Sequence, residues 1–171
     1  MSAPQDNAAN SPEGAPVSVL FVCTGNICRS PSAEAILRHK AAQAGLGDRL
    51  RTDSAGLGEW HLGHPPDPRA TDAVAARGYA MGEQTARLVD PRDFERFDYV
   101  IAMDEGHYAQ LRQSCPSGAR ERVRLFLDFA PHTNRKSVPD PYYGDRGGFD
   151  TMVDLIEAGT DGLLAEIAER T

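Results

Sequence analysis

The strongest constraint on folding lies in Val17-Ser18-Val19-Leu20-Phe21-Val22, which runs straight into Cys23-Thr24-Gly25-Asn26-Ile27-Cys28-Arg29-Ser30. The first six residues make a short, almost continuous apolar run rich in β-branched side chains. Such a run suits a strand buried on both faces, as in a parallel sheet. A polar, glycine-containing loop follows, and Ser30-Pro31 reads as an N-cap with proline in the first helical turn. Ala33, Ile36, Leu37, Ala41 and Ala44 then give a helical stripe that Gly45 can end. The unit is strand, loop, helix, and two of the chain's three cysteines lie in its loop.

The alternation continues. Leu50 to Ala55 reads as a second, more polar strand, and 57–68 as a long loop holding Trp60, His61 and His64. Asp67 to Arg77 suits a helix with Ala70, Ala73 and Val74 inward and Gly78 as its stop. Phe97 to Met103 is another strand, followed by a helix from about Asp104 to Gln113, and Val123 to Leu127 is a fourth strand. A loop with Asp140-Pro141-Tyr142-Tyr143-Gly144-Asp145 leads to a last helix. Its stripe is Phe149, Met152, Val153, Ile156, Leu163, Leu164 and Ile167, softened by Gly159 and Gly162. Strands alternating with helices predict an α/β fold: a single-domain, doubly wound, four-stranded parallel sheet with helices on both faces. In such sheets ligands bind beyond the carboxyl ends of the strands, where strand order reverses. Cys23 closes the most apolar strand.

At 171 residues the chain is long enough for one domain with a proper core. Residues 1–16 are rich in Ala, Pro, Ser and Asn and lack the basic end and apolar stretch of a signal peptide, so they read as a flexible tail before a domain over 17–171. No apolar run approaches the roughly 20 residues that span a bilayer. An odd number of cysteines without an export signal points to a reducing compartment, the cytoplasm, and to free thiols. The net charge of -7 argues against a nucleic-acid backbone as partner. Any anion site must therefore be local.

Cys23 and Cys28 admit three readings: metal ligands, a disulfide, or a reactive thiol with a neighbour. Metal is disfavoured because Cys115 and the five histidines have no recognisable ligand spacing. The loop instead offers much to an anion. Gly25 and Asn26 can take the unusual dihedrals that turn backbone N–H groups inward. The following helix adds its own unpaired N–H groups and the positive end of its dipole. Arg29 adds a fork of donors matched to phosphate oxygens. The same field favours a thiolate at Cys23, and Ser30 can donate a hydrogen bond to it.

The segment V-C-T-G-N-I-C-R-S-P-S-A-E resembles the low-molecular-weight protein tyrosine phosphatases. The resemblance covers about residues 17 to 170, because D-S-A-G at 53–56 and D-P-Y-Y-G-D at 140–145 follow in the expected order. It implies that Cys23 attacks phosphorus to form a phosphocysteine while Arg29 and the loop, Thr24 to Cys28, hold the equatorial oxygens. Ser30 would stabilise the sulfur, and Asp140 would serve as general acid and then base. Asn26 and Ser54 resemble a pair whose hydrogen bonds hold the loop, and Trp60, Tyr142 and Tyr143 match positions at the substrate mouth. Where many members have histidine in H-x-A-R, this chain has Gln84. The family further implies a monomer acting on phosphotyrosine proteins, inhibited by phosphate or vanadate. It implies no cofactor, metal, membrane or nucleic acid. Some members are exported without a signal peptide, so a place outside the cell stays open.

The resemblance also suggests a role for Cys28, as the reversible disulfide partner of Cys23 under oxidation; simple packing is its other reading. Three rival functions share the fold or site. An arsenate reductase needs two further cysteines to relay a disulfide, and only Cys115 lies outside the loop. A protein arginine phosphatase resembles C-T-G-N-T-C-R-S, with threonine where this chain has Ile27. A catalytically dead phosphotyrosine-binding module is disfavoured by Cys23, Arg29, Ser30 and Asp140 occurring together.

Overall fold

The computed structural model describes residues 15–144 and 146–170. The expected tail lies outside them except for Ala15 and Pro16, as does Asp145. Four strands, β1 (Val17–Cys23), β2 (Leu50–Gly56), β3 (Tyr99–Ala102) and β4 (Val123–Leu125), form one parallel sheet in the order β2-β1-β3-β4. Every residue of β1 is buried, because β2 flanks it on one side and β3 on the other. The two-residue period of a strand divides its side chains between two cores. Val17, Val19, Phe21 and Cys23 enter one with Tyr99 and Ile101. Leu20 and Val22 enter the other with Val100, Ala102 and Val123.

Helices α1 (Arg29–Gln43), α2 (Pro68–Ala75) and α5 (Arg146–Arg170) cover the first face; α3 (Asp93–Arg96) and α4 (Glu105–Ser114) cover the second. The doubly wound sheet is as predicted. From β1 the chain steps outward to β2 and then crosses back to β3, so strand order reverses between β1 and β3. The loops leaving those two strands therefore meet at the crevice where such folds bind ligands. Among the described residues, no helix is long and apolar enough to cross a membrane.

Several boundaries differ from expectation. Helix α1 starts at Arg29 with Cys28 in the cap position and no side-chain cap, so Ser30 is not the N-cap. Its hydroxyl is committed to the loop instead. Ala44, expected inward, is exposed. Strand β4 ends at Leu125, and Phe126–Phe129 form a 3-10 turn. Phe126 and Leu127 both enter the core under α5, which the alternation of a strand forbids. The glycines of α5 serve this packing. A Cβ at Gly159 would overlap the Phe126 ring, and one at Gly162 would overlap the Phe129 carbonyl oxygen. They are points of close approach, not weak points in the stripe.

Candidate active site

A cavity of about 290 Å³ opens at the carboxyl end of β1. Cys23, Thr24, Gly25, Ile27, Cys28 and Arg29 form its inner wall. Trp60, His61, Asp140, Tyr142 and Tyr143 form its mouth. The structure thus gathers the residues expected at the reacting centre and at the mouth into one pocket. Ser30, Asn26 and Ser54 lie behind it, fully or nearly buried.

Cys23 Sγ lies 3.0 Å from Ser30 Oγ, and the Ser30 amide donates to it at 3.4 Å. Ser30 Oγ also accepts from Asn26 Nδ2 at 2.9 Å. Its one proton is then left for the sulfur, or for the more distant Ala55 carbonyl at 3.5 Å. A thiolate at Cys23 can only accept, so the hydroxyl donates to it. The first turn of α1 begins within this loop and directs the positive end of its dipole at the same place.

Asn26 is the residue that bends the loop. Its φ of 60° is left-handed, a conformation costing a non-glycine residue about 1 kcal/mol. Gly25 does not share it: its missing Cβ makes room for the His61 ring, whose Cδ2 would stand 2.8 Å from that atom. Asn26 spends its amide on Ser30 and its Oδ1 on the Arg87 backbone N–H at 3.0 Å. Arg87 is clamped in turn by Asp93, which it meets through both terminal nitrogens, and by Asp53. Of the two residues expected to hold the loop by hydrogen bonds, Asn26 bonds it directly and Ser54 does not. Ser54 Oγ donates to Glu34 Oε1 in α1 at 2.8 Å and does not reach the loop. Burial pushes the Glu34 carboxyl above the ordinary range, with the Ser54 hydrogen bond opposing. Gln84 donates to the Pro31 carbonyl at 3.3 Å, so it supports the start of α1.

Arg29 is almost wholly buried and held from several sides. Nη1 donates to Asp104 Oδ2 and to the Val138 carbonyl, both at 2.9 Å. Nη2 donates to Thr24 Oγ1 at 3.3 Å and lies 3.6 Å from Asp140 Oδ2. Asp140 is bound by the Tyr142 amide at 3.0 Å, and its carboxyl stays accessible at the mouth. The loop that carries it is moored at Val138, whose N–H reaches the Met103 carbonyl. Trp60 and Tyr143 are 73% and 91% exposed, whereas Tyr142 packs edge-on against Tyr143 and lies 5.5 Å from the His61 ring. The mouth is aromatic and open.

Cys28 differs from Cys23. Burial, and then the nearby Asp67 charge, push its thiol well above the ordinary range, so it is a neutral thiol in this pocket. Sequence reasoning missed Asp104 and His107, which the reversal of strand order brings against Arg29 and Thr24. Asp104 follows the carboxyl end of β3, the position where the fold rule expects a ligand-facing residue. It also caps α4, through the His107 amide at 2.8 Å, and a capping aspartate draws no notice in a sequence. His61 was read only as part of a loop.

Residues 18–171 match the family model for low molecular weight phosphotyrosine protein phosphatase. A low molecular weight protein-tyrosine-phosphatase of Streptomyces coelicolor is 44% identical over 155 residues, covering 89% of this chain and 94% of its own. The crystal structure of a protein tyrosine phosphatase from Entamoeba histolytica superposes with a TM-score of 0.87 at 36% identity, covering 90% of this chain and 97% of that one. A Drosophila arginine phosphatase superposes with a TM-score of 0.80 at 32% identity, covering 86% and 96%. With the fold and these likenesses in agreement, the chain belongs to the low molecular weight phosphotyrosine protein phosphatase family.

Proposed function

We propose that this chain hydrolyses phosphotyrosine in proteins, and small aryl phosphates, through a phosphocysteine intermediate. One observation carries the reading: Cys23 Sγ, backed by Ser30 at 3.0 Å, shares a pocket with Arg29 and an accessible carboxyl on Asp140. The thiolate attacks phosphorus in line with the leaving oxygen. Arg29 and the loop carry the negative charge of the equatorial oxygens as it redistributes. Asp140 gives its proton to the departing phenolate, whose conjugate acid has a pKa of about 10 and which leaves poorly as the anion. Asp140 then takes a proton from water as that water attacks the phosphocysteine, and inorganic phosphate is released. Ser30 supports the sulfur as it leaves. The substrate ring fits between Trp60 and Tyr142.

Two rivals are weighed by their own residues. The Drosophila neighbour makes phosphoarginine the substrate to test against phosphotyrosine. Buried Ile27 supports the aryl reading, because an apolar wall suits a flat ring better than a guanidinium. A disulfide relay for arsenate needs a mobile, accessible third cysteine. Cys115 is instead buried in the core on the other sheet face, with its thiol on the Pro116 carbonyl. Purified full-length protein should hydrolyse phosphotyrosine peptides without added metal, at least tenfold faster than phosphoarginine peptides, with competitive inhibition by vanadate. Faster release from phosphoarginine would replace the substrate assignment.

Cys28 is proposed as the resolving thiol. Peroxide converts the Cys23 thiolate to a sulfenic acid; the Cys28 sulfur then displaces water, and a Cys23–Cys28 disulfide results. Peptide mapping after brief peroxide treatment should find that linkage, and added dithiol should restore most of the activity. The Cys28→Ser variant should recover several-fold less. Equal recovery in both proteins would leave Cys28 a packing residue.

A further inference from the structure

The guanidinium of Arg29 sits in a circuit that the phosphatase mechanism does not itself require. Arg29 Nη2 donates to Thr24 Oγ1, and Thr24 Oγ1 lies 2.8 Å from His107 Nε2. His107 Nδ1 lies 3.2 Å from Asp104 Oδ1, poorly aligned for a hydrogen bond but inside the field of the carboxylate. The other oxygen of Asp104 accepts from Arg29 Nη1. The four side chains close on one another. We infer that His107 is a positioning residue for Arg29, fixing the plane of its guanidinium through the Thr24 hydroxyl; this rests on the reading that Arg29 holds the phosphoryl oxygens.

The direction of each proton follows from the partners. Arg29 can only donate, so Thr24 Oγ1 accepts from it and has one proton of its own to place. His107 is buried, and that burial holds its pKa at about 4. Arg29 acts in the same direction, while Asp104 and Asp140 oppose it. At neutral pH the ring therefore carries a single proton. The carboxylate beside Nδ1 draws it there, which leaves Nε2 bare to accept the Thr24 proton. Thr24 is thereby turned with a lone pair toward Arg29. Were the proton on Nε2 instead, Thr24 would receive two donors, and its own proton would compete for space with the guanidinium. The neutral tautomer thus orders the hydroxyl, and the hydroxyl orders the arginine. Asp104 and Val138 hold the other terminal nitrogen, so the guanidinium is pinned at both ends of its fork. The benefit is orientation: donors already set for a phosphoryl group need no rearrangement during reaction.

The experiment has two parts. Histidine-labelled, full-length wild type at pH 7 is examined by nitrogen NMR, with the His107 signals assigned from their absence in His107→Gln. The Nδ1-protonated, Nε2-bare tautomer is expected, and the reverse tautomer overturns the inference. Kinetics with an aryl phosphate form the second part. His107→Phe should lower kcat/KM about tenfold and raise the vanadate inhibition constant by a similar factor. His107→Gln, whose amide oxygen can accept from Thr24, should return to within about threefold of wild type. A Thr24→Val/His107→Phe double variant should be no slower than Thr24→Val alone, because both act through one hydroxyl. Full activity in His107→Phe, multiplied losses in the double variant, or a glutamine variant as slow as phenylalanine would each overturn it. Should His107→Phe fail to fold, the wild-type tautomer decides. A wild type without aryl phosphatase activity would instead sink the proposed function, leaving the tautomer measurement to stand by itself.

Discussion

Cys23→Ser is expected to stop turnover of aryl phosphates, with a loss of about 10⁴-fold or more, while vanadate or phosphate still binds. A serine hydroxyl remains protonated at neutral pH, and the two groups that bond position 23, the Ser30 hydroxyl and the Ser30 amide, are not bases. Ser30 Oγ, 3.0 Å from Cys23 Sγ, already accepts from Asn26. The proposed anion cradle, by contrast, does not need the sulfur. Arg29 keeps Asp104, Val138 and Thr24 as partners whichever atom stands at position 23. Steady-state assay and binding of phosphate by calorimetry separate the two effects. Residual turnover above about one per cent of wild type would contradict the phosphocysteine route.

The second large effect belongs to Asp140→Asn. An amide can keep the Tyr142 contact and most of the shape, yet it cannot give up a proton. For phosphotyrosine or phenyl phosphate the loss should be about 10²- to 10³-fold in kcat. The loss should shrink as the leaving phenol becomes more acidic, because such a phenolate departs unaided. A series of substituted phenyl phosphates measures this directly: the slope of log kcat against phenol pKa should steepen in the variant. An unchanged slope would remove Asp140 from the role of acid, whatever the size of the rate loss.

Much of the candidate site was legible because its residues are concentrated in a contiguous stretch. Cys23 ends β1 and Arg29 and Ser30 start α1, across one short loop, and the apolar run before them leaves little choice about where the loop sits. The sheet was legible for the same reason: β1 and β3 are almost uninterrupted apolar segments. Strand β4 was drawn too long because Phe126 and Leu127 are as apolar as any strand residue. Only the placement of α5 decides that both turn to one side. Asp104 and His107 were invisible for a different reason. A polar helix start has an ordinary structural explanation, and its distance from Arg29 depends on the crossing of two strands. The sequence could not show that Ser30 bonds Asn26 while Ser54 bonds Glu34 instead of the loop. Sequence order cannot choose between hydroxyls that the fold separates.

The hold on Asn26 bears on what could be transplanted. The loop from Cys23 to Ser30 is not a portable cassette, since the left-handed residue at its centre is secured by a backbone N–H from Arg87. Arg87 stays in place through Asp93 and Asp53, two carboxylates on separate elements. Grafting the loop sequence alone onto another strand-helix junction would leave Asn26 free to relax and the cradle free to open. The bend at Asn26 travels only with the 87–93 segment and the β2 strand, and Arg29 needs Asp104 and Val138 as well. A designer seeking the proposed anion site elsewhere would have to copy supports scattered along the chain, not one loop.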